Sequence, residues 1–208
     1  MSEGGQALAR PASHAEEHHA VQVEHTRLGV WVWLASECAF FASLIGTYLS
    51  LHAFHQPGLG PRDLFDLPTT AVSTFALLVS SVTMGLAIEA AQRQAASTLR
   101  LWLVVTALLG LVFVGMEAHE FVSYWHRGLT LQSSAFGSAF YTLVGFHGMH
   151  VSFGIAWILS VLIFSLRKPG GFSTGDLWRL EVLSLYWYFV DVVWVVLFTV
   201  VYLLGKLG

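Results

Sequence analysis

Five apolar stretches lie between Leu28 and Leu204, and the last of them carries an aspartate in its interior. That stretch runs from about Glu181 to Leu204 and includes Tyr186-Trp187-Tyr188-Phe189-Val190-Asp191-Val192-Val193-Trp194. About 20 apolar residues suffice to cross a bilayer as a helix. Asp191 lies about ten residues in, or roughly 15 Å at a rise of about 1.5 Å per residue, near the membrane midplane. A carboxylate there costs about 2.5–3.5 kcal/mol on insertion scales, so it should face protein and not lipid. One helix of this kind needs partner helices, and the rest of the chain supplies them.

The other spans read as Leu28–Leu51, Thr69–Ala91, Leu99–Phe121 and an overlong Phe136–Leu166, which should tilt or begin in the interface. The expected connections are His52–Pro68, rich in Gly and Pro, the short polar turn Arg93–Thr98, Val122–Ala135 and Arg167–Arg179. Only 11% of the residues are charged and the mean hydropathy is +0.65, against about 25% charged in soluble domains. The fold class is therefore an all-α integral membrane bundle of five helices. A net charge of −3 gives no reason to expect a nucleic-acid partner. The single cysteine, Cys38, excludes an internal disulfide and a thiolate metal cluster.

Residues 1–27 read as a disordered polar tail ahead of the 28–208 membrane domain. The tail carries His14, His18, His19 and His25 without regular ligand spacing, and nothing in it resembles a secretory signal. Lys and Arg set the orientation. Seven (Arg10, Arg27, Arg93, Arg100, Arg167, Lys168, Arg179) fall on the side of the N-terminus, and three (Arg62, Arg127, Lys206) on the other. The positive-inside rule then places the N-terminus in the cytoplasm and the C-terminus outside.

Glu37, His147, His150 and Asp191 fall in the middle third of the membrane. They could form a polar cluster for protons or ligands, or a set of satisfied interhelical hydrogen bonds. His147 and His150 are three apart and share a helical face. Glu37 sits among Trp33, Leu34, Phe40 and Phe41, and a buried glutamate can hold a proton at neutral pH. Hydrogen bonding to Ser or Thr on neighbouring spans could satisfy it. Glu117 and Glu120 also share a face but lie toward the outer end of span three, where a solvated or interfacial role is expected. Trp31, Trp33, Trp102, Trp125, Trp178 and Trp187 read as interface anchors. Neither span-four histidine has a midplane partner on another span for a haem, and no copper constellation exists. No internal repeat suggests a transporter.

Two motifs, Gly145-Phe146-His147-Gly148-Met149-His150-Val151 and Trp187-Tyr188-Phe189-Val190-Asp191-Val192-Val193-Trp194, resemble subunit III of the haem-copper oxidases. Asp63–Pro68, Ser80-Ser81-Val82-Thr83, Gly115-Met116-Glu117, Glu120-Phe121, the Phe198–Gly205 end and the short five-span form resemble the bo-type ubiquinol oxidase branch of that family. The resemblance implies a non-catalytic subunit of a terminal oxidase in the bacterial cytoplasmic membrane. Its partners would be subunits I and II and a small subunit IV, with the haems and copper in the catalytic partner. It also implies bound phospholipid and a part in sustaining proton uptake. The family's buried carboxylate corresponds to Glu37, and Tyr188 stands where the family has a histidine, which weakens any relay through that position. A cytochrome c oxidase subunit III is the near alternative. An independent haem-binding or proton-translocating membrane enzyme is the distant one.

Overall fold

A computed structural model describes residues 12–53, 66–168 and 176–204, with the side chains of 12–27, 52–53 and 204 left aside. Five long helices account for almost all of it: α1 (Ala12–Ala53), α2 (Leu67–Gln92), α3 (Ala96–His126), α4 (Ala135–Arg167) and α5 (Leu177–Leu197). A π-helical segment, Phe198–Leu204, continues α5. All five are long and apolar enough to cross a membrane.

Two boundaries differ from the sequence reading. The first helix starts at Ala12, well before Leu28, so residues 12–26 are helical and not an unstructured tail. Between Pro11 and Gly29 the chain has no helix breaker, and Ala, Glu and Gln recur, so nothing local stops the helix. The third helix likewise runs past Phe121 to His126, because the first break is Gly128 at φ 93°. The helix at Ala135–Arg167 has 33 residues, as overlong as expected. Residues 1–11 and most of the expected loop His52–Pro68 lie outside the described residues.

Packing follows from side-chain size. Helices α2 and α3 form the most extensive pair. The buried face of α2 is mostly small: Thr70, Ser73, Thr74, Ser80, Thr83, Ala87, Ala90 and Ala91. Small residues let helix backbones approach closely in lipid, where no hydrophobic force drives helices together. The connection is tight, turning through Gln94 at φ 58°. Helix α3 packs on α4, α4 on α5, and α5 back on α2, closing a four-helix ring. Arg100 near the start of α3 donates to the Ser165 carbonyl at 2.6 Å, satisfying an orphan group in the last turn of α4. Ser134 caps the other end of α4, accepting from the Gly137 amide at 3.0 Å.

Helix α1 stands outside this ring, against α4 and α5. Among its described side chains, the buried ones are Leu34, Phe41 and Tyr48, seven apart, which is the narrow seam of a coiled-coil contact. Only 11% of its apolar core is buried, against 50% for the fifth span. Helix α5 is thus the hub, and Trp187 is its centre. Far from an interface anchor, Trp187 is 1% exposed and donates to Ser80 Oγ on α2 at 3.0 Å. Its ring also lies against Gly110 of α3 and Gly154 of α4. Trp31 and Trp125, in contrast, point outward as interface anchors do.

Candidate functional site in the membrane interior

Three hydrogen bonds join α5 to α2 in successive turns: Trp187 to Ser80, Asp191 to Ser81, and Trp194 Nε1 to Thr74 Oγ1 at 2.9 Å. Asp191 is buried as expected, and its Oδ2 accepts from Ser81 Oγ at 2.7 Å. Its Oδ1 has no protein partner. Tyr188 is half-buried one turn away, its hydroxyl directed at Gly85 of α2. A Cβ at Gly85 would meet that oxygen at 3.3 Å, so the small residue is what makes room for the tyrosine.

His147 and His150 share α4 but face different neighbours. His147 is fully buried in the ring, stacked on Trp194 with centroids 4.9 Å apart and met edge-on by Phe113 and Phe41. Neither of its ring nitrogens has a partner. His150 turns to α1, where its Nε2 lies 3.3 Å from Glu37 Oε2. The partner of Glu37 is thus this histidine, brought across by packing of α1 on α4, and not a Ser or Thr of a neighbouring span. His150 Nδ1 lies 2.6 Å from the Phe146 carbonyl, and the Tyr186 hydroxyl of α5 donates to the His150 carbonyl at 3.0 Å.

The acidic pair of α3 also differs from its reading. Glu117 and Glu120 are each 6% exposed, not solvated. Because α3 continues to His126, both lie more than a turn inside its end, with α2, α4 and the π-helical segment closing over them. Glu120 accepts from Thr70 at 2.7 Å, from Tyr124 at 3.4 Å and from Tyr202 at 3.5 Å. The π-helical turn delivers Tyr202 to this cluster, an irregularity of the sort that recurs at functional sites. Glu117 has no hydrogen-bond partner for either oxygen, and it presses on Gly148, where a Cβ would meet Oε2 at 2.9 Å. Thr70, Ser81 and Tyr202 escaped the sequence reading as site residues. Their one visible signal was a run of Ser and Thr along α2 and a tyrosine in the C-terminal motif.

At the other end of the bundle, between α4 and α5, lies a cavity of about 260 Å³ lined by Trp157, Ser160, Val161, Phe164, Trp178, Arg179 and Val182. The Arg179 guanidinium sits over the Phe164 ring at 5.0 Å and the Trp178 ring at 5.4 Å. Lys168, ion-paired with Asp176, caps the same end. Among the described residues, no group of three or more His, Cys, Asp or Glu is placed to hold a metal ion.

These features define a multi-pass membrane protein whose ionisable residues are turned inward between helices. The chain belongs to the cytochrome c oxidase subunit III family, whose model matches residues 5–206. It is 42% identical to cytochrome c oxidase subunit 3 of Bacillus sp. (strain PS3) over 193 residues, covering 93% of this chain and 92% of that one. It is also 42% identical to the quinol oxidase subunit 3 of Bacillus spizizenii over 181 residues, covering 87% and 88%. A probable quinol oxidase subunit 3 of Staphylococcus saprophyticus stands at 42% over 180 residues, covering 86% and 89%. The relatives are bacterial, and this chain is a subunit III of a bacterial terminal oxidase.

Proposed function

We infer that the chain is a non-catalytic subunit that packs on a haem- and copper-bearing subunit I, steadies it during turnover and holds phospholipid beside it. The carrying observation is the pairing of Glu37 with His150 on a helix that is mostly uncovered. Helix α1 buries one narrow seam, and the middle of its outward face is small, with Ala35, Ala39, Ala42 and Gly46 in a row between the larger exposed Val32 and Leu49. Such a face suits close approach by a helix of another subunit. Subunits I and II, with a small subunit IV, are the partners this reading assigns. The redox groups belong to them, and the residues here supply packing and proton-holding groups.

The cavity between α4 and α5 supports lipid binding, with aromatic walls for an acyl chain and Arg179 at its mouth for an anionic headgroup. The charge asymmetry supports a cytoplasmic side for the N-terminus and for this mouth. The motifs favour a quinol as the electron donor, while relatives named for quinol and for cytochrome c stand at the same 42% identity. The polar segment before Leu28, helical from Ala12, serves as a cytoplasmic extension of α1.

Deletion of the chain tests the role. Complexes lacking it should start oxygen reduction at nearly the wild-type rate and then lose activity over successive turnovers. Complete loss of the initial rate in an assembled remainder would make the chain catalytic, and an unchanged decay would remove the stabilising role.

A further inference from the structure

Glu117 and Glu120 stand one turn apart on the buried face of α3, and their surroundings treat them unequally. Glu120 accepts hydroxyl hydrogens from Thr70 of α2 at 2.7 Å, Tyr124 of α3 at 3.4 Å and Tyr202 of the π-helical segment at 3.5 Å. Donors that converge on a carboxylate stabilise its charged form. Among the described residues, no hydrogen bond reaches either oxygen of Glu117. Gly148 of α4 closes over them, since a Cβ there would meet Oε2 at 2.9 Å and Oε1 at 3.1 Å. A neutral carboxyl in that place leaves an unpaired polar group. A carboxylate leaves an unpaired buried charge, which costs far more.

Among the described residues, the packed elements supply no compensating cation. No Lys or Arg occurs within 67–92, 101–126, 135–166 or 180–204. His147 of α4 stacks on Trp194, and His119 and His126 of α3 are exposed. Asp66, the other carboxylate at this end, is exposed and accepts from Thr69 at 2.7 Å.

We propose that Glu117 and Glu120 form a proton-binding site that holds one proton, carried by Glu117 as a carboxylic acid, beside a carboxylate at Glu120. The pair then bears a single negative charge, where two carboxylates a turn apart would repel. Loss of the Glu117 proton would put two charges in one apolar pocket. Gain of a second proton would discharge the carboxylate that three hydroxyls hold. The site is separate from Glu37 and His150, and it depends on contacts within this chain and not on the subunit III reading.

Infrared difference spectra of the complex isolated through this chain, wild type minus variant at neutral pH, test the proposal. Glu117→Gln should remove one carboxylic acid band per chain and no carboxylate band. That band should lie at the high-frequency end, where an acid without hydrogen bonds absorbs, and should shift in heavy water. Glu120→Gln should remove a pair of carboxylate bands and leave the acid band. Glu117→Met and Thr70→Val give second readings should a glutamine variant fail to assemble: the first removes the acid band, and the second shifts the carboxylate bands and leaves the acid band in place. Loss of carboxylate bands in Glu117→Gln, or loss of the acid band in Glu120→Gln, overturns the proposal. Wild-type spectra that change on addition of sodium or potassium at constant pH would put a metal cation in the place of the proton and overturn it as well.

Discussion

Trp187 should make Gly154 intolerant of even one methyl group. A Cβ on Gly154 would fall 2.9 Å from Cζ3 and 3.0 Å from Cε3 of Trp187, and 3.3 Å from a Tyr186 ring carbon. The indole cannot step aside. On its far side a Cβ at Gly110 would meet its Cη2 at 2.8 Å, so α3 already touches it there, and its Nε1 is tied to Ser80 at 3.0 Å. Relief requires α4 to move off α5. Overpacking of this kind costs about 1–3 kcal/mol, and a ring fixed on two sides favours the middle of that range or above. About 2 kcal/mol in a chain of this size lowers a thermal midpoint by about 4–8 °C. The assay is thermal loss of folded chain in mild detergent for Gly154→Ala, Trp187→Phe and the double variant. Phenylalanine lacks the outer indole ring, so the double variant should be at least about 1 kcal/mol more stable than the sum of the single effects. A midpoint for Gly154→Ala within about 1 °C of wild type, or strict additivity in the double variant, would refute the packing argument.

Other outcomes follow from the buried polar groups. Glu117 has no hydrogen-bond partner, so Glu117→Met should leave stability unchanged or raise it by about 1–3 kcal/mol; a clear loss in the same thermal assay would mean the carboxyl is satisfied by something bound. Ser81→Ala leaves Asp191 with neither oxygen paired and should cost about 1–2 kcal/mol, and Asp191→Leu added to it should recover part of that loss. For orientation, thiol labelling at Ser13→Cys and Gly208→Cys in a chain lacking Cys38 should modify the first from the cytoplasm and the second from outside; modification of both from one side contradicts the charge-based topology.

The fold was legible because bilayer-length apolar runs leave little choice, and the five spans matched to within a few residues at most ends. Boundaries slipped where no breaker marked the expected end, as at Leu28 and Phe121, and the helices ran on to Ala12 and His126. Burial of Asp191 was legible from its cost in lipid, whereas its partner Ser81, 110 residues away, was not. The same limit applies to Glu37 and His150. Each stood out as an intramembrane ionisable residue, but their pairing depends on α1 docking against α4 and skipping α2 and α3, which no local pattern reveals. Glu117 and Glu120 were misplaced because depth was counted from the expected end of span three. Trp187 was misread because its distance from a span end says nothing about which face it occupies.

The central claim is that this chain works as a docked subunit of a terminal oxidase. Affinity isolation of the tagged chain from gently solubilised membranes of its own cells tests it directly, with a reduced-minus-oxidised haem spectrum and oxygen uptake recorded on the product. The account predicts a stoichiometric haem-bearing catalytic subunit and quinol-driven oxygen consumption in the isolated material. Recovery of the chain alone, with no haem-bearing partner and no oxygen uptake, would contradict it.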